Sequence, residues 1–250
     1  MVMHCIAYYG SIPAGTGLQF VPNITDGTVT PRGNGYIVPS FAPKIMLVYC
    51  FGQSFTRAQL QSPSLRANWP FDVEPVDVAT TPSSTPPLLD LTEAPIPLAI
   101  GEELDVQNIH SLVASESDYV LVILTDGAQT PYTGYFDTIR ATAATTLVAG
   151  AWTLCPLTFP TPLPSENYQV VGMRAHSAGG GFARLWFPGY GHRPGCISYS
   201  TVAKHDFNYF RYGKLGVFGQ FNVASPPQAE FLSTSADNSE VVELDLAPMP

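Results

Sequence analysis

The chain has 250 residues, 45% of them apolar, enough for one large β domain or two domains of roughly 100–130 residues. That content argues against disorder, and charged residues at only 12%, about half the usual ~25%, argue against a solvated helical bundle. The net charge is −9 with 11 scattered Lys and Arg, so the basic stripe that direct nucleic-acid binding needs is missing.

In chain order, the first residues, "MVMHCIAYYG", lack the basic start and long apolar run of a signal peptide. "KIMLVYCFG" (Lys44–Gly52) is a short run of β-formers bounded by Pro43 and Gly52 and predicts a strand. "FTRAQLQ" predicts a turn or two of helix, and "PSLRANW" a short helical piece. The proline-rich stretch from Val78 to Leu104 reads as an irregular excursion with edge strands. Within it, "GEELDVQ" (Gly101–Gln107) reads as an exposed acidic turn, with calcium at a subunit contact as the alternative.

"DYVLVILTDG" (Asp118–Gly127) predicts a second strand ending in a turn. "TDGAQTPYTGYFD" (Thr125–Asp137) reads as a linker. Strands are then predicted at "YQVVGMRAHS" (Tyr168–Ser177), "KLGVFGQFNV" (Lys214–Val223) and "EVVELDL" (Glu240–Leu246). In the last, Val242, Leu244 and Leu246 alternate with Glu243 and Asp245, which predicts one wet face. Many short strands separated by turn signals mean a sandwich or barrel.

The chain also repeats itself. Aligning Leu60 with Leu185 lays "FTRAQLQSP" over "GFARLWFP": Arg57 and Arg184 precede the Leu, Pro63 and Pro188 follow it, and Arg66 and Arg193 come next. "IMLVYCFG" matches "YQVVGMRA" in position, "SDYVLVILTDG" from Ser117 lies against "SEVVELDLAP" from Ser239, and "AGTGLQFVP" from Ala14 resembles "AGAWTLCPL" from Ala149. Short β segments match by chance, so one large β domain stays open, but collinear matches favour a tandem duplication. The resulting expectation is an all-β chain of two tandem jelly-roll β-sandwiches. Residues 1–130 form the first, with an N-terminal extension, and residues 131–250 form the second.

The candidate residues are structural. Arg57 and Arg184 are expected to brace a loop or to bridge neighbouring subunits. Trp69 and Trp186, with Trp152, are expected to anchor a core or an interface. Cys5, Cys50, Cys155 and Cys196 lack zinc spacing and read as buried thiols, with one disulfide as the alternative. The histidines His4, His110, His176, His192 and His205 include no H-x-H pair of a cupin metal site. "AHSAGGGFARL" fits neither a nucleophile elbow nor a phosphate loop and reads as a flexible connection.

Two tandem jelly rolls in a small, weakly charged chain without a catalytic motif resemble the double jelly-roll major capsid proteins of tailless icosahedral, membrane-containing phages. The resemblance is architectural and carries over no residue. It implies a non-enzymatic virion protein, assembled in the host cytoplasm, whose homotrimers present six jelly rolls as a pseudo-hexagon and tile a shell. The implied partners are other copies, other capsid or vertex proteins and an underlying membrane, without direct nucleic-acid contact and without a cofactor. The alternatives are a carbohydrate-binding β-sandwich module of a phage spike or secreted lectin, and a metal-dependent cupin-like or glycoside-cleaving enzyme.

Overall fold

The computed structural model describes residues 2–12, 18–52, 55–65, 71–73, 76–77, 89–110, 116–200 and 209–249, with backbone alone at 12, 55–57, 71–73, 76–77, 109–110 and 116. The chain is all-β, with 51% of its residues in strands and no α-helix among the described residues. It divides into two compact units, one covering most of Val2–Ala128 and the other Gln129–Pro250.

The first unit opens with β1 (Met3–Ile12), so the apolar N-terminus is itself a strand rather than an extension. Short β2 (Gln19–Phe20), β3 (Pro31–Arg32) and β4 (Gly35–Ile37) lead to β5 (Lys44–Gly52) and β6 (Phe55–Gln61). After a 3₁₀ turn at Pro63–Leu65 come β7 (Phe71–Val73), β8 (Val76–Asp77), β9 (Leu89–Asp90) and β10 (Ile96–Pro97). The unit closes with β11 (Glu103–His110) and β12 (Glu116–Thr125).

One sheet runs β1–β12–β5–β10, with β8 and β9 also on β5, and the other runs β3–β4–β11–β6–β7, with β2 also on β11. β1 pairs with β12 from Met3↔Thr125 to Ile12↔Glu116 without a slip. The two sheets share one core, in which Ile6, Val48 and Val120 of the first meet Leu60, Leu104 and Val106 of the second. The opposite face of the first sheet is buried as well, at Tyr49, Phe51, Tyr119, Leu121 and Ile123. There Phe51 and Tyr119 stack at 4.7 Å. A strand buried on both faces needs a near-continuous apolar run, which is what "IMLVYCFG" and "YVLVIL" supply.

The second unit consists of β13 (Asp137–Ala143), β14 (Trp152–Cys155), β15 (Asn167–His176), β16 (Gly181–Trp186), β17 (Gly195–Tyr199), β18 (Gly219–Asn222), β19 (Gln228–Ser233) and β20 (Glu240–Pro248). Its strands fall into two runs, β13–β20–β15–β18 and β14–β19–β16–β17. A parallel link of two positions, Ala175↔Ser198 and His176↔Tyr199, joins the runs.

The two units follow the same path. In each, the first strand lies beside the last, then a long central strand (β5 or β15), then the late short strand (β10 or β18). In each, the second layer places the penultimate strand between the early short strand (β2 or β14) and the strand that follows the central one (β6 or β16). The repeated segments occupy equivalent places: Leu60 and Leu185 sit on β6 and β16, Ser117 lies at the start of β12 and Ser239 adjoins β20, and "QF" and "WTLC" give β2 and β14.

Four local expectations are corrected. "FTRAQLQ" is strand, not helix, because β6 lies between β11 and β7 and tertiary pairing overrides a modest helix propensity. "GEELDVQ" is a turn only at Gly101 and Glu102; from Glu103 it is β11, whose Leu104 and Val106 enter the core. "KLGVFGQFNV" is strand only over Gly219–Asn222, since Tyr212, Gly213 and Gly216 at φ of 59°, 71° and 76° curl the chain before it. Finally, the face of β20 predicted to be wet is closed at Asp245, which is 0% exposed, and only half-open at Glu243.

Candidate functional site

Arg184 lies opposite Glu230 in the β16–β19 register, so the two side chains meet by strand pairing alone. Arg184 is 0% exposed, and its Nε donates to Glu230 Oε2 at 2.6 Å. Its guanidinium lies 4.1 Å from the centre of the Trp152 ring. Gly195 makes room: a Cβ there would stand 2.8 Å from Arg184 Cβ. Arg193, from the loop joining β16 to β17, donates to the other oxygen of Glu230. One carboxylate therefore takes two guanidinium groups and ties the far end of that loop to β19.

The near end of the loop is fixed by packing. Phe187 is fully buried and presses on β18, where a Cβ on Gly219 would fall 2.7 Å from its ring. Between these anchors Gly189 takes φ of 87°. The chain there turns outward and presents Tyr190, 40% exposed, in T-shaped contact with Phe187 at 5.9 Å and with His192 at 5.2 Å. Two clefts flank Tyr190, of about 490 and 360 Å³, and both also touch Gln220 of β18.

A second polar network lies behind β20. Arg211 Nε donates to Asp245 Oδ2 at 2.8 Å and its Nη2 to Oδ1 at 2.7 Å. Thr138 Oγ1 and Tyr212 N donate to the same carboxylate at 2.7 and 2.8 Å. Glu243 accepts from Arg211 Nη1 at 2.9 Å and from Arg174 Nη2 at 2.8 Å. Burial pushes the Asp245 carboxyl up, but the hydrogen bonds from Arg211, Tyr212 and Thr138 outweigh it and hold the group below its ordinary value. The site depends on a slip of the β15–β20 register at Gly172, where a side chain would meet Asp245 and come within 3.0 Å of the Arg211 backbone.

The sequence-predicted residues do not converge. Arg184 is engaged inside its own unit; Arg57 lies on β6, but its side chain, like all of Trp69 and His205, falls outside the described residues. Trp186 ends β16 half-buried. His4 is buried and meets Thr28 Oγ1 at 3.3 Å, and His176 Nδ1 meets Tyr199 O at 2.7 Å. In place of the expected flexible connection, Ser177 is buried against Ser198 Oγ at 3.1 Å, and Gly179 N donates to Asp237 at 3.0 Å. The acidic cluster diverges: Glu102 accepts from Ser64, whereas Glu103 pairs with Arg32 at 3.4 Å.

All four cysteines are buried and none is in a disulfide. Burial raises the thiols of Cys50, Cys155 and Cys196, that of Cys155 to about 12. Among the described residues, no group of three or more His, Cys, Asp and Glu side chains is placed to hold a metal ion, and no helix is long and apolar enough to cross a membrane.

Sequence reasoning missed the Arg211–Asp245 network and the grouping of Tyr190 with Gln169 and Gln220. The signal for the first was the pair Glu243 and Asp245 alternating with Val242, Leu244 and Leu246 in β20. The second needs the β15–β18 register, which sets Gln169 opposite Gln220. No family model matches the chain, and no curated protein and no solved structure is found to match it.

Proposed function

We propose that the chain is a structural virion protein, a double jelly-roll major capsid protein that forms pseudo-hexameric homotrimers and tiles an icosahedral shell. The observation that carries this reading is the strand path made twice, β1–β12–β5–β10 against β2–β11–β6–β7, then β13–β20–β15–β18 against β14–β19–β16–β17. Two four-stranded layers wound in that order are the hallmark of a jelly roll. Two such units in one chain let three chains approximate sixfold symmetry, the arrangement a flat lattice needs.

Composition supports the same reading. With 12% charged residues the chain has little to cover its own surface, and lattice neighbours would cover it instead. A net charge of −9 suits a shell kept off the genome by a membrane or by other proteins. The buried ion pairs of Arg184 and Arg211 fit a structural role, since they brace loops and strands within a unit. On this reading the partners are further copies, other capsid or vertex proteins and an underlying membrane.

The test is the native mass by light scattering, with negative-stain images of the same sample. A mass near three times 26.9 kDa, or hexagonal plates and shells, is the expected result. A single monomeric species at high concentration overturns the proposal.

A further inference from the structure

The two clefts beside Tyr190 form one groove along β18, because they share both Tyr190 and Gln220. Their volumes, about 490 and 360 Å³, fall in the range that holds a small organic ligand. No Asp, Glu, Lys or Arg lines either cleft, although the chain carries a net charge of −9. A neutral groove on an acidic protein offers no countercharge for a phosphate, a carboxylate or a cation.

The groups present suit another chemistry. Gln169 and Gln220 stand directly opposite each other on β15 and β18. Neither side chain hydrogen-bonds within the described residues. Each amide carries two donors and an acceptor, the complement of neighbouring hydroxyls, which both give and take hydrogen bonds. Tyr190 adds an aromatic ring that is 40% exposed yet held by Phe187 and His192. A ring fixed in this way offers an apolar platform at little entropic cost.

The platform is also pre-set. Arg184 and Arg193 grip Glu230 at one end of the Tyr190 loop, and Phe187 locks onto Gly219 at the other.

We infer that the groove along β18 binds a neutral saccharide, with Tyr190 stacking on the apolar face of a sugar ring and the Gln169–Gln220 pair reading its hydroxyls. Since the two clefts continue past Tyr190 on both sides, an oligosaccharide is favoured over a single sugar. The inference concerns one unit of one chain and stands apart from shell assembly, so the native-mass measurement leaves it untouched.

The test is saturation-transfer NMR on the purified full chain. The probes are methyl glycosides of glucose, galactose and mannose, N-acetylglucosamine, the matching di- and trisaccharides, and sialic acid as an anionic comparator. Saturation should reach the ring protons of at least one neutral sugar, more strongly for its oligomer than for its monomer, and not sialic acid. In the unmodified protein that sugar should shift the side-chain amide resonances of Gln169 and Gln220, a readout that needs no variant. Tyr190→Ala, and separately Gln169→Ala with Gln220→Ala, should each weaken binding about tenfold, the factor for losing one good contact. Tyr135→Ala, at an exposed tyrosine outside the groove, should leave binding unchanged. No transfer to any neutral sugar overturns the inference. So does preference for sialic acid, a monosaccharide binding as tightly as its oligomer, or binding without movement of the two glutamine amides.

Discussion

Asp245 and Arg211 illustrate how a buried charge is made tolerable: four donated hydrogen bonds reach the two Asp245 oxygens from Arg211, Thr138 and Tyr212. Removing one partner leaves the other charged in an apolar setting, so Asp245→Asn or Arg211→Met should each destabilise the protein by about 3–5 kcal/mol, measured by denaturant unfolding. The folded Asp245 carboxyl is held below its ordinary value, so its contribution is full above that ordinary value and is lost as pH falls through the folded one. Asp245→Asn should therefore flatten the acid side of the stability profile. Glu240 works in the opposite direction. It is 1% exposed, and burial, helped by the neighbouring Asp237, raises its carboxyl from 4.5 to about 7. The folded form holds the proton more tightly than the unfolded one, so stability from this group falls as pH rises from 4.5 to about 7 and stays reduced above that. Glu240→Gln should raise the melting temperature at pH about 8 and change little at pH about 4; an equal effect at both would refute this account.

Among the elements, β6 and β15 show local and tertiary preferences disagreeing. β6 carries "FTRAQLQ", whose Arg, Ala, Gln and Leu would accept a helix, yet Ala58 and Leu60 turn into the core between the two sheets. Leu60→Ala should cost about 2–5 kcal/mol, the range for emptying a Leu site in a well-packed core. β15 must slip its register beside β20 at Gly172. Only a glycine leaves space there for the Asp245 carboxylate and the Arg211 backbone. Gly172→Ala should lower stability by about 1–3 kcal/mol, as overpacking does, without changing the fold seen by circular dichroism.

For the whole molecule, charge and association oppose each other. Chains of net charge −9 repel, so self-association driven by apolar surface should strengthen with salt. Light scattering should give a larger mass at about 0.5 M than at about 0.02 M sodium chloride, where the screening length falls several-fold. A mass that drops with salt would mean that ion pairs hold the assembly. The four thiols should stay silent toward an aromatic disulfide reagent at pH about 8 in the native protein and all react once it is unfolded, because each is buried.

The sequence by itself determined the class of the fold and much of its plan. Its apolar runs at Lys44–Gly52 and Asp118–Thr125 read as strands because they are short, bounded by turn residues and rich in β-branched and aromatic side chains. The collinear offsets pointed to equivalent strands because equivalent places in a path demand similar patterns of burial. What only the tertiary structure decided were the partners. Whether "FTRAQLQ" is helix or strand, whether Asp245 is wet or buried, and which residue faces Glu230 or Gln169 depend on contacts 34 to 51 positions or more away in the chain. Such contacts follow from register and loop closure, and local propensity carries no information about either.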